Sequence, residues 1–111
     1  PCTYSETFPI SINYSGSWQA QYYGYNGAPY RLFSSNGSFV VGNFSGTGNF
    51  FKPVTLSGPD NKGLGICALA KKLDQSHNNL TISVGNASYN AYSNSTNLPF
   101  GSTYVCMGVY P

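Results

Sequence analysis

Apolar residues fall at every second position in three separate stretches of this 111-residue chain. Phe8, Ile10, Ile12 and Tyr14 alternate with Ser11, Asn13 and Ser15, and Trp18, Ala20 and Tyr22 alternate with Gln19 and Gln21. Leu80, Ile82 and Val84 alternate with Thr81 and Ser83. A two-residue period sends alternate side chains to opposite faces, so each stretch reads as a half-buried β-strand. The segments between them carry turn chemistry. Asn26-Gly27 and Asn36-Gly37 are hairpin signals, with Tyr30–Phe33 as the return strand of the first and Ser38–Val41 as a short strand after the second. Gly42–Gly48 is rich in Gly, Ser and Asn and reads as a loop or a bulged strand. Asn49–Lys52 and Val54–Leu56 read as β-structure interrupted by Pro53, which cannot donate to a ladder and so marks an edge or a bend.

One stretch breaks this pattern. In Asp60–Val84, Ile66, Leu69, Ala70 and Leu73 fall at helical spacing, with Lys71, Lys72 and Gln75 mostly on the other side. Ser57 and Asp60, with Pro59 between them, resemble a capping box upstream. The spacing predicts a short amphipathic helix, a polar break over Ser76–Asn79 and then the Leu80–Val84 strand. Gly63 and Gly65 work against it, each costing a helix up to about 1 kcal/mol relative to Ala. Gly85–Gly101 lacks periodicity and reads as a long polar loop, a length that in compact domains often carries function. Thr103–Tyr110 closes the chain as a strand, with Tyr104, Cys106 and Tyr110 on one side and Val105, Met107 and Val109 on the other. Both sides are largely apolar, which predicts burial on both faces or a subunit contact. The size fits one domain, 1–111, with no repeat and no linker.

Charged residues make up only 7% of the chain, so the polar surface must come from Ser, Asn, Thr, Gly and the ten tyrosines. A Tyr, Ser and Asn surface suits extracellular recognition, since Tyr gives rigid amphipathic area and Ser and Asn give adaptable hydrogen bonds. The net charge of +2, with no basic cluster beyond Lys71-Lys72, argues against nucleic acid as a partner. No apolar run reaches 18 residues, so membrane insertion by a helix is not expected. The opening Pro-Cys suggests a leader that has been removed or left out, as expected of a secreted protein. Asn13, Asn36, Asn43, Asn79, Asn86 and Asn94 head Asn-x-Ser/Thr sequons, which an Asn- and Ser-rich chain also generates by chance.

Cys2, Cys67 and Cys106 allow three intrachain pairings, of which Cys67–Cys106, joining the helix to the last strand, is favoured. Three scattered cysteines and one histidine lack zinc-ligand spacing, so no metal and no other cofactor is expected.

The element order (several strands, one helix, one strand, a long loop and a last strand) matches a small five-stranded Greek-key OB-like barrel, mainly β with its helix between strands 3 and 4. The segment NKGLGICALAKKLDQSHNNLTISV at 61–84, followed by TYVCMGVYP, resembles the C-terminal half of the OB-fold B subunits of AB-type toxins, the pertussis and subtilase-cytotoxin-like group. The shared features are an Ala- and Leu-rich helix, a polar break, a Val/Ile strand and a Cys in the closing strand, over about the last 50 residues. The resemblance implies a secreted, disulfide-bearing, ring-forming subunit, commonly a pentamer, that binds cell-surface glycans and accompanies a separate catalytic chain. It also implies that Lys71, Lys72 and Gln75 line the central pore. The N-terminal half offers no motif that transfers a sialic-acid site, and the third cysteine and the sequons depart from a bacterial toxin.

Candidate catalytic groups are few: Glu6, Asp60, Asp74 and His77, with Asp60 read as a helix cap and Asp74 and His77 as the helix end. No nucleophile–base arrangement carries a local signature, so no catalysis is expected. The binding candidates are Trp18, Tyr22, Tyr23, Tyr25 and Tyr30 with the sole arginine, Arg31, and a second group in the polar loop, Tyr89, Tyr92 and Asn94. Aromatic faces stack on sugar rings, and Arg31 is suited to a carboxylate such as that of a sialic acid. The same rings also serve as core and cross-strand pairs in a β-protein. Two functions from different classes follow. One is a glycan-binding, ring-forming subunit. The other is a structural or adhesive surface protein (pilus, thread or coat subunit), in which the Phe8–Tyr14 strand is a candidate for donation to a neighbouring subunit.

Overall fold

The computed structural model describes residues 2–26, 31–32, 37–41, 47–72, 78–93 and 103–110. They form nine strands: β1 (Thr3–Ser15), β2 (Trp18–Asn26), β3 (Arg31–Leu32), β4 (Gly37–Val41), β5 (Thr47–Pro59), β6 (Leu64–Lys72), β7 (Asn78–Val84), β8 (Ala87–Ser93) and β9 (Thr103–Val109). All described pairings are antiparallel. One sheet, here sheet A, runs β5-β1-β7-β8; the other, sheet B, runs β3-β2-β6-β9 with β4 also beside β2.

The two sheets bury their facing sides against each other. Phe8, Ile10 and Ile12 of β1, Val54 and Leu56 of β5, and Leu80, Ile82 and Val84 of β7 form one wall of the core. Trp18 and Ala20 of β2, Leu64, Ile66, Ala68 and Ala70 of β6, and Val105 of β9 form the other. Each set falls on every second residue of its strand, which is the pattern an aligned two-sheet packing imposes. Gly58 admits Leu64 to this core, since a Cβ there would lie 2.8 Å from Leu64 Cδ2.

The architecture corrects two expectations. The sheets do not close into a five-stranded barrel, and the described residues contain no helix. The predicted helix is strand β6. Leu64, Ile66, Ala68 and Ala70 are buried, while Cys67, Leu69 and Lys71 between them are only half-buried. The sequence LGICALAKK satisfies both periods, and pairing with β2 on one side and β9 on the other decides for the strand. Neither expected cap holds a helix start. Ser57 Oγ bonds Ser5 Oγ across the β1–β5 pair at 2.6 Å, and the Asp60 N–H donates to the Cys2 carbonyl at 2.7 Å. Residues 73–77, which include the expected helix end at Asp74 and His77, lie outside the described set, as do Gln75 and the polar break up to His77.

Other elements are longer than the sequence indicated. β5 runs unbroken through Pro53, which pairs with Pro9 on an edge strand, where a missing N–H costs least. The first half of the expected Gly85–Gly101 loop is a two-residue turn followed by β8. Val84 pairs with Ala87, and Gly85 takes φ +59° with no positive φ at Asn86, the pattern of a II′ turn. Any side chain at Gly85 would also meet Met107 Sδ, 2.5 Å from the Cβ position. Phe8–Tyr14 is not a spare strand, because β1 pairs with β5 along its whole length and with β7 over Ile10–Asn13.

The strand register of β6 makes a sharp energetic prediction. Ile66→Ala removes a side chain 1% exposed and should cost about 2–5 kcal/mol of unfolding free energy. Leu69→Ala, on the outer side of the same strand, should cost about 1 kcal/mol or less. Denaturant titration of both variants checks this; equal, large losses at the two positions would restore the helical face.

Candidate functional site

Two short sequences mirror each other on neighbouring strands: Gly65-Ile66-Cys67 in β6 and Cys106-Met107-Gly108 in β9. Antiparallel pairing sets Gly65 opposite Gly108, Ile66 opposite Met107 and Cys67 opposite Cys106. Cys67 and Cys106 are disulfide-bonded, with Cα atoms 4.0 Å apart, while Cys2 is free and exposed. The favoured pairing therefore holds, although it joins two strands rather than a helix and a strand. Directly opposed Cα atoms this close mark a non-hydrogen-bonded pair. The N–H and C=O groups of Tyr104, Cys106 and Gly108 consequently point away from β6, toward the side on which β9 ends sheet B among the described strands.

β2 supplies the third strand of this surface. Tyr25 stands beside Gly65 and Tyr23 beside Cys67. The outer face of sheet B thus reads in rows: Tyr25–Gly65–Gly108, then Tyr23–Cys67–Cys106, then Gln21–Leu69–Tyr104. The paired glycines leave a floor without side chains between the Tyr25 ring and the disulfide. The result is an open cleft of about 390 Å³ lined by Tyr25, Gly65, Ile66, Cys67, Cys106, Met107 and Gly108. That volume lies in the range of small-ligand sites, roughly 300–1,000 Å³. Tyr23 Oη donates to Gln21 Oε1 at 3.0 Å, which fixes the phenol next to the cleft. Tyr104 extends the same face and is 55% exposed.

The lining is apolar and aromatic, with polar groups contributed by the Tyr25 phenol and the backbone of the glycines and Cys106. Tyr25 and the disulfide give the cleft apolar surface, and the outward N–H and C=O groups of β9 add donors and acceptors at its side. Among the described residues no charged side chain lines the cleft, and Lys71 lies beyond it on the same face, paired with Gln19. Among the described residues no three His, Cys, Asp or Glu side chains gather as a metal site.

The residues singled out in the sequence divide among several places. Tyr23 and Tyr25 lie at the cleft. Trp18 is 1% exposed and belongs to the core, where its ring meets Tyr14 at 5.4 Å and Phe50 at 6.1 Å. Tyr22 faces inward and packs partly buried against that core. Arg31 pairs with Asn26 at the start of β3. Tyr89 and Tyr92 are on β8 in sheet A, with Tyr89 47% exposed beside Ile82. Tyr30 and Asn94 lie outside the described residues. Glu6 is half-buried on β1, and Asp60 is exposed in the turn after β5. Gly65 and Gly108, which make the floor, were not anticipated; the mirrored Gly-x-Cys and Cys-x-Gly was the available signal.

No protein family, characterised protein or solved structure matches this chain.

The disulfide closes a loop spanning 39 residues. Its removal, by reduction or by Cys67→Ser with Cys106→Ser, should lower stability by about 4 kcal/mol on a chain-entropy estimate. Denaturant unfolding with and without a reductant measures this, and a loss near zero would show that the β6–β9 register holds without the bond.

Proposed function

We propose that this chain is an extracellular binding module that takes carbohydrate in the cleft on the outer face of sheet B. The observation that carries the reading is the placement of the Tyr25 ring beside a bare Gly65–Gly108 floor, bounded by the Cys67–Cys106 disulfide. An aromatic wall, a side-chain-free floor and edge backbone groups suit a sugar ring, whose apolar face stacks while its hydroxyls hydrogen-bond. The disulfide supports an oxidising compartment, consistent with secretion. Assembly into a pentameric ring with a catalytic partner rests on the toxin resemblance alone, and the Ala- and Leu-rich stretch that carries it is strand β6, not a helix.

A second reading is a structural or adhesive subunit of a surface assembly. It is favoured by the outer face of β1 and β5 in sheet A, which carries no charge and exposes Phe51 to 60%. Native mass separates the two readings: a filament subunit gives an open ladder of copies, and a binding module gives one discrete species.

Titration against a glycan array, followed by calorimetry on the best ligand, tests the cleft. Tyr25→Ala should weaken binding at least about tenfold, equivalent to about 1.4 kcal/mol. Gly108→Val should abolish it by filling the floor while leaving the inward core residues in place. Binding unchanged in both variants, or no sugar bound by the parent chain, would remove the carbohydrate reading.

A further inference from the structure

Of the six sequon asparagines, Asn13, Asn79 and Asn86 fall within described elements, and all three belong to sheet A. Asn13 is exposed on the outer side of β1, between Asn49 of β5 and Thr81 of β7. Its sequon hydroxyl, Ser15, is two residues along the same strand and so lies on the same face. Asn86 is exposed at the second position of the II′ turn, and Ser88, its sequon hydroxyl, is exposed at the start of β8.

The surface around Asn13 has an unusual composition. Every second residue faces out from Thr3 to Asn13 on β1 and from Asn49 to Ser57 on β5, and none of these carries a charge. Their hydroxyls and amides bond one another across the strands: Ser5 to Ser57 at 2.6 Å, Thr7 to Thr55 at 2.9 Å, and Ser11 Oγ to Asn49 Oδ1 at 3.0 Å. Part of the hydration capacity of the face is thus used internally. Phe51 stands 60% exposed opposite Ser11, diagonal to Asn13. An uncharged sheet face with an exposed ring invites association, and a chain with only 7% charged residues has little else to oppose it.

We infer that Asn13 and Asn86 are N-glycan attachment sites, and that the outer face of sheet A is the glycan-bearing side of the molecule. The donor class is an oligosaccharide linked through pyrophosphate to a lipid. Asparagine Nδ2 bonds the sugar C1, the C1–oxygen bond to the pyrophosphate breaks, and the amide proton and lipid pyrophosphate leave without any redox change. A glycan on Asn13 covers Phe51 and hydrates the uncharged face. This inference is independent of the sheet B cleft.

The test is secretion of the chain from a eukaryotic cell line, then intact mass and peptide mapping. An amidase that releases N-glycans in heavy-oxygen water converts each occupied asparagine to a mass-labelled aspartate. Label at both Asn13 and Asn86 in the disulfide-bonded protein is the expected result. Asn13→Gln should remove one glycan mass, and its particle mass by light scattering should rise at least about twofold, the smallest step that association gives. Secreted, disulfide-bonded protein with Asn13 and Asn86 unmodified would overturn the inference. Occupancy at Asn86 alone, or a monomeric Asn13→Gln variant, would overturn the role given to the face.

Discussion

The register of β6 is the constraint on which this fold rests. β6 lies between β2 and β9, and four of its residues, Leu64, Ile66, Ala68 and Ala70, enter the core. Side chains alternate strictly along a strand, so a shift by one residue would turn this apolar set outward and bring Cys67, Leu69 and Lys71 into the core. The Cys67–Cys106 bond prevents that shift relative to β9. The same register places Gly65 against Gly108 and both beside Tyr25, so one alignment fixes the core on one side and the cleft on the other.

Much of the β-structure was legible because its signals were local. Phe8–Tyr14, Trp18–Tyr22 and Leu80–Val84 alternate cleanly, and each lies within a strand whose apolar set faces inward. β6 was not legible from periodicity. Small Ala68 and Ala70 and the half-buried Cys67 and Leu69 make both of its faces apolar, and a strand of that kind also fits a helical stripe. Two glycines near its start argued for the strand, as did the mirrored Gly-x-Cys and Cys-x-Gly, which only make sense across an antiparallel pair. The missed β8 has a different cause. Its residues, ASYNAYS, lie on an edge strand, where little apolar burial is required and the alternation fades.

The candidate site was legible only in part, for a related reason. Sequence proximity gathered Trp18, Tyr22, Tyr23 and Tyr25 into one cluster, but strand geometry divides them. Trp18 and Tyr22 share a face with Ala20 and turn inward, whereas Tyr23 and Tyr25 turn outward. The division follows from parity alone and could be read once the strand was accepted. The floor could not, because it is made by the absence of side chains on two strands 43 residues apart, Gly65 and Gly108.

The two outer faces of the sandwich differ in a way that follows from how each is built. Sheet B is relieved of side chains at Gly65 and Gly108 and bordered by tyrosines, which gives it a concavity with an apolar lining. Sheet A sets like residues opposite each other along β1 and β5, Ser with Ser, Thr with Thr, Pro with Pro and Asn with Asn, with the exposed Phe51 opposite Ser11 as an exception. The Ser and Thr pairs hydrogen-bond each other across the two strands. A concave aromatic face suits small ligands, while an uncharged face with an exposed ring either meets another large surface or must be shielded from one. The proposed glycan on Asn13 would decide between those two outcomes, since it stands diagonal to Phe51 on sheet A and leaves the cleft of sheet B uncovered.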